Sequence, residues 1–140
     1  MEKWVVYAFV SAVFAGFTSV IAKMGLAGIS GELGLFIRTC FVFVFVIIFA
    51  GAAVPRADIA TIGRSNLFWL GLSGITTSVS WILYYKALKL GEVSTVALID
   101  KGSFIVAVVL AWILLKEQIT ARIMLGSGLI LSGLIVVSRR

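Results

Sequence analysis

The sequence predicts an all-α integral membrane protein with five transmembrane helices in a single domain over residues 1–140, and three observations carry that expectation. The chain is 61% hydrophobic and only 13% charged, against roughly 25% charged residues in ordinary soluble domains. Its mean hydropathy is +1.17. The apolar residues run in blocks of about 16 to 23, the length a helix needs to cross a hydrocarbon core about 30 Å thick. Within these blocks apolar and polar residues do not alternate as they do in a barrel strand, and lipid admits only helices or closed barrels.

The same composition excludes several function classes. The net charge is +6 and the pI is near 9.9. The basic residues are scattered between apolar blocks rather than gathered into a patch, so they read as topology signals and headgroup anchors, with no nucleic-acid partner. Cys40 is the single cysteine, so no intrachain disulfide forms, and the absence of histidine argues against zinc. Neither paired carboxylates nor a nucleophile motif is present, and the expectation is no enzyme, no metal and no cofactor. Lys3 and the apolar run from Trp4 resemble the start of a signal peptide, but the run is long and further spans follow. It reads as the first span.

Span 1 covers about residues 4–22 and leads to Lys23, with a glycine-rich turn from Met24 to Gly31. Ala12, Gly16, Ser19 and Lys23 share one helical face, which reads as a packing seam or a polar path. Lys23 is either a snorkelling anchor or a site residue. Span 2 covers about residues 33–54 and is closed by Pro55, the only proline. Its Arg38 cannot be neutralised and must snorkel, pair with a carboxylate or meet a ligand anion, with Glu32 and Asp100 the nearest acidic partners. The polar connection from Arg56 to Asn66 leaves no room for an extramembrane domain, and Ser65 or Asn66 is the expected N-cap of span 3.

Span 3, about residues 67–85, carries the small residues Gly71, Gly74 and Ser78, and Ser78, Trp81 and Tyr85 lie on one face. The aromatic end reads as an interfacial belt, or as a cavity in which Trp81, Tyr84 and Tyr85 receive cationic or aromatic ligands. Lys86 and Lys89 mark the headgroup level in that picture. Span 4, about residues 93–115, places Asp100 and Lys101 where an apolar helix belongs, and an intramembrane ionisable residue costs about 2.5 to 3.5 kcal/mol on insertion scales. Asp100 and Ser103 share a face, while Lys101 points about 100° away. The plainer alternative is that Lys101 snorkels and Asp100 only pairs with it. Span 5, about residues 123–138, has in Gly126, Gly128, Ser132 and Gly133 the densest small-residue surface, a helix-packing or dimer face.

Five spans put the termini on opposite sides. Lys3, Arg56, Arg64, Lys116 and Arg122 then face Lys23, Lys86, Lys89, Arg139 and Arg140, five basic residues against five, or against seven if Arg38 and Lys101 snorkel to the second side. The positive-inside rule gives almost no preference. A chain so balanced is suited to insertion in both senses, and two opposed copies generate the inverted repeat common in secondary transporters.

The stretch WILYYKALKLGEVSTVALIDKGS from Trp81 to Ser103, KEQIT after span 4, Lys23 with Gly25 and Leu26, and Arg38 with Thr39 together resemble the EamA-like domain, the five-helix unit of the drug/metabolite transporter superfamily. The resemblance covers the whole chain. It implies one repeat of a fold that elsewhere occurs in tandem, working here as a homodimer, with the two copies antiparallel. It also implies transport of a metabolite, amino acid or drug by alternating access, in the plasma membrane of a bacterium or archaeon. The substrate or gating residues would be Lys23, Arg38, Asp100, Lys101, Trp81, Tyr84, Tyr85 and Ser103, with Asp100 a proton carrier if transport is proton-coupled. Two positions depart from the pattern. Leu98 stands where relatives commonly carry proline, which removes the expected cause of a kink, and Lys116 stands where glycine is common. The rival readings are a non-transporting scaffold subunit, and a passive channel, for which no filter motif is present.

Overall fold

The computed structural model describes residues 2–138. Its secondary structure is helical throughout, with no strand among the described residues: α1 Lys3–Gly25, α2 Gly31–Ala53, α3 Arg56–Ile59, α4 Arg64–Leu90, α5 Val93–Asp100, α6 Ser103–Leu114 and α7 Ala121–Ser138. Five segments are long and apolar enough to cross a membrane: α1, α2, α4, the pair α5 and α6 taken together, and α7. The protein is an all-α, multi-pass membrane protein.

Element ends follow local chemistry. Ser30 N-caps α2, its hydroxyl accepting from the Leu33 N–H at 3.2 Å. The helix stops where Val54, just before Pro55, is extended at φ −95 and ψ 118, the conformation a residue before proline prefers. Span 3 departs from expectation at both ends. It begins at Arg64, with the Leu67 N–H bonded to the Gly63 carbonyl, so Ser65 and Asn66 lie inside the first turn rather than capping it. It then continues past Tyr85 to Leu90, because lysine, alanine and leucine are strong helix formers. Thr120 heads α7, its hydroxyl accepting from the Ile123 N–H at 3.4 Å, which starts that helix two residues before the predicted Ile123.

Span 4 is interrupted despite Leu98 replacing the family's proline. Between α5 and α6 the bonding tightens to an i→i−3 pattern: Gly102 N–H to the Ile99 carbonyl at 2.9 Å, Phe104 to Lys101 at 3.2 Å and Ile105 to Gly102 at 3.1 Å. This 3₁₀ turn supplies the break that proline does not. At the other end of α6, Lys116 adopts φ 55, a left-handed conformation that glycine reaches without penalty. Lys116 lies just past the end of α6.

The chain forms two compact units. One comprises Ile21–Leu90; the other comprises the described residues up to Val20 and from Gly91 onward. In the first, α2 packs along α4. A Cβ on Gly31 would lie 2.9 Å from the Tyr85 carbonyl oxygen, and one on Gly34 would lie 2.3 Å from Leu26 Cδ2. The first contact is with backbone, so only glycine permits the approach at Gly31; the second is with the tip of a side chain. The buried hydrophobic side chains among the described residues collect at that joint: Leu26 at 2%, Tyr85 at 4% and Leu88 at 0% exposure. In the other unit α5 packs on α7, and Gly102 is the close point, 3.4 Å from Leu134 Cδ1 to an added Cβ.

The small-residue stripes behave differently. A Cβ built at Gly16, Gly71, Gly74, Gly126, Gly128 or Gly133 meets nothing within 4 Å. Their hydroxyl neighbours bond back to their own helices, Ser19 to the Ala15 carbonyl, Ser78 to Gly74 and Ser132 to Gly128. Such back-bonding answers the hydroxyl within the helix, so these faces need no polar partner.

Candidate functional site

The predicted residues fall into two groups. Lys23, Arg38, Trp81, Tyr84 and Tyr85 belong to the Ile21–Leu90 unit, and Asp100, Lys101 and Ser103 belong to the other. Within the first group the joint between α2 and α4 is the organising element. Trp81 and Tyr85 are one helical turn apart on α4 and present adjacent rings. Arg38, about two turns into α2, lays its guanidinium over them, with Cζ 4.3 Å from the Trp81 ring centroid and 5.8 Å from that of Tyr85. A cation over an aromatic face gains about 0.5 to 2 kcal/mol, more as water is excluded. Tyr84 stands beside Tyr85 with ring centroids 6.4 Å apart, edge to face at 64°.

Three sequence expectations meet the structure here. First, one of the two acids named for Arg38 is engaged elsewhere: Glu32 pairs with Lys86 at 3.4 Å. The reason is helical phase, since six residues separate Glu32 from Arg38 and place them about 120° apart around α2. Second, the Trp81 face expected to receive a cationic ligand already holds the protein's own cation. Third, Tyr85 is buried, with its backbone carbonyl set against Gly31 of α2, and α4 runs on past it to Leu90.

Arg38 also carries an unusual electrostatic feature. Its Nη1 is buried and has no hydrogen-bond partner among the described residues. A guanidinium remains charged at any physiological pH, so that donor cannot be silenced by losing a proton.

The lysines of this unit make backbone contacts. Lys23, in the last turn of α1, donates to the Leu88 carbonyl, and Lys89, in the last turn of α4, donates to the Leu26 carbonyl at 3.0 Å. Helix C-termini leave carbonyls unsatisfied and carry partial negative charge, which both ammonium groups answer. Lys89 was expected only to mark the headgroup level. The available signal was its place at a helix end opposite a second lysine at another helix end.

In the other unit, Asp100 closes α5, Lys101 and Gly102 form the 3₁₀ turn, and Ser103 opens α6. Residues three apart eclipse in a 3₁₀ turn, so Asp100 and Ser103 stay in line and Lys101 turns away. Asp100 is half-buried and Lys101 exposed. The two form no ion pair among the described residues.

Comparison with known proteins decides the family: residues 2–139 match the EamA-like transporter family. The chain belongs to that family. A relative, a Sinorhizobium protein described as an uncharacterized transporter in the cobO 3′ region, is 34% identical over 138 residues, covering 98% of this chain and 97% of its own length. No solved structure matches significantly. EamA-like proteins are membrane transporters rather than enzymes, and the five apolar helices are the bilayer-spanning framework that such a role requires.

Proposed function

We propose that this protein is a small-molecule transporter of the plasma membrane that works by alternating access as a homodimer of oppositely inserted copies, its 140 residues forming a single five-helix domain. The observation that carries the reading is the full-length EamA-like match joined to charge and aromatic residues set among apolar helices. Lys23, Arg38, Asp100 and Lys101 supply charge for gating or recognition, and Trp81, Tyr84, Tyr85 and Ser103 shape the substrate path. Asp100, at a break in an apolar span, is the candidate proton carrier. The near-equal basic count on the two sides supports dual insertion, and the open Gly126, Gly128, Ser132 and Gly133 face supplies a surface for the second copy.

The test is counterflow in proteoliposomes loaded with mixed amino acids and small organic acids. A carrier gives saturable, exchange-dependent uptake; a scaffold gives none, and a channel gives flux without exchange. Reporters fused to the C-terminus, one active only in the cytoplasm and one only outside, should both give signal. Signal from a single reporter would rule out opposed copies and favour a fixed orientation with a different partner.

A further inference from the structure

We infer that Arg38 is the anion-recognition group of a binding site on the α2–α4 joint, and that its ligand is an organic carboxylate with an apolar or aromatic body. The inference names a substrate class for the transporter reading and rests on it for physiological meaning, although the binding it asserts is measured separately.

The argument starts from the buried donor. Arg38 Nη1 is shielded and unpartnered among the described residues, and a buried charged group without a partner costs more than a neutral one. The rings of Trp81 and Tyr85 cover its face but accept no hydrogen bond in the plane of the guanidinium, so Nη1 keeps its demand. The carboxylates of this unit are Glu32 and Asp58. Glu32 is held by Lys86. Asp58 lies in α3, beyond the far end of α2, and the 15 residues from Arg38 to Ala53 alone span about 22 Å of helix. No acid of the unit answers the charge.

A carboxylate fits what remains. Its two oxygens match the planar fork of a guanidinium in a bidentate pair, the geometry for which arginine is preferred over lysine. The stack on Trp81 holds that fork in place before the anion arrives, so little side-chain freedom is lost on binding. A cationic ligand meets the opposite circumstance: it is repelled by Arg38 and finds the Trp81 face occupied. An apolar or aromatic body on the anion suits the Trp81 and Tyr85 rings at the edge of the pair.

The experiment uses the full chain in detergent and follows intrinsic tryptophan fluorescence at fixed ionic strength. Phenylacetate, benzoate and acetate are titrated, with phenylacetamide as the uncharged analogue. The expected result is a saturable response to at least one carboxylate and none to the amide. Arg38→Gln should raise the half-saturating concentration about tenfold or more, Arg38→Lys should fall between because it keeps charge without the fork, and Glu32→Gln should match the unmodified protein. A missing carboxylate response overturns the inference, as does one that survives Arg38→Gln unchanged. Should Arg38→Gln fail to elute as a folded species, Arg38→Lys decides: an unchanged half-saturation overturns the site. Counterflow of the same probes separates the two readings. Arg38-dependent binding without counterflow keeps the anion site and removes the transporter reading, whereas counterflow of other solutes without Arg38-dependent binding does the reverse.

Discussion

Lys23 and Lys89 cap each other's helix ends: the first donates to the carbonyl of Leu88, beside Lys89 on α4, and the second to the carbonyl of Leu26, just past Lys23 on α1. The exchange closes over the buried side chains of Leu26 and Leu88. Two helix C-termini that would otherwise repel through their partial negative charge are thereby joined by two cations.

Removing either cation should loosen this joint. Lys23→Met and Lys89→Met are each expected to cost about 1.5 to 3 kcal/mol, the usual worth of a hydrogen bond from a charged group. The double variant should cost less than the sum, since both bonds close one joint. Equilibrium unfolding in mixed micelles measures this, and simple additivity would argue against a shared joint.

Gly31 should tolerate no side chain. A Cβ there meets the Tyr85 carbonyl oxygen at 2.9 Å, and backbone cannot swing aside as a side chain can. Gly31→Ala is expected to destabilise by about 1 to 3 kcal/mol. Gly71→Ala, in open space on α4, should be neutral or stabilise by up to about 1 kcal/mol through helix propensity. Thermal unfolding of the two variants side by side checks the contrast.

Lys116→Gly should stabilise the protein. A left-handed residue other than glycine costs about 1 to 2 kcal/mol, and Lys116 stands at φ 55. Part of that gain is offset by the greater freedom of glycine in the unfolded chain. A net gain of about 0.5 to 1 kcal/mol is expected, read as a rise in Tm, and a fall in Tm would show that the Lys116 side chain contributes more than its backbone costs.

Asp100→Asn should leave folding intact and remove proton coupling. The carboxyl is half-buried at the α5–α6 break and makes no ion pair among the described residues, so an amide of the same shape disturbs little. In proteoliposomes, uptake by the unmodified protein should rise with an inward proton gradient and uptake by the variant should not respond. Equal gradient dependence in both would sink the proton-carrier role.

Much of the architecture was legible before any coordinates. Block length and hydropathy require spanning helices, because lipid leaves backbone groups no partner outside the helix itself, and Pro55 marks the end of α2 by local sterics. What periodicity misplaced were ends and partners. Span 3 runs on through Lys86 and Lys89, since charged residues with good helix propensity need not end a helix at the headgroups.

Pairing across helices is where tertiary structure decided. The sequence names Glu32 and Arg38, but only the phase of α2 against α4 hands Glu32 to Lys86 and turns Arg38 onto Trp81. Glycine content alone pointed to the stripes on α1, α4 and α7, whereas the close approaches fall at Gly31, Gly34 and Gly102. Residue order alone makes this chain a set of membrane-spanning helices carrying a few costly charges, because burial in lipid is a property of each segment. Which charge meets which ring, carbonyl or carboxylate depends on helix rotation and approach distance, set by contacts between residues 40 or more positions apart, such as Gly31 against Tyr85.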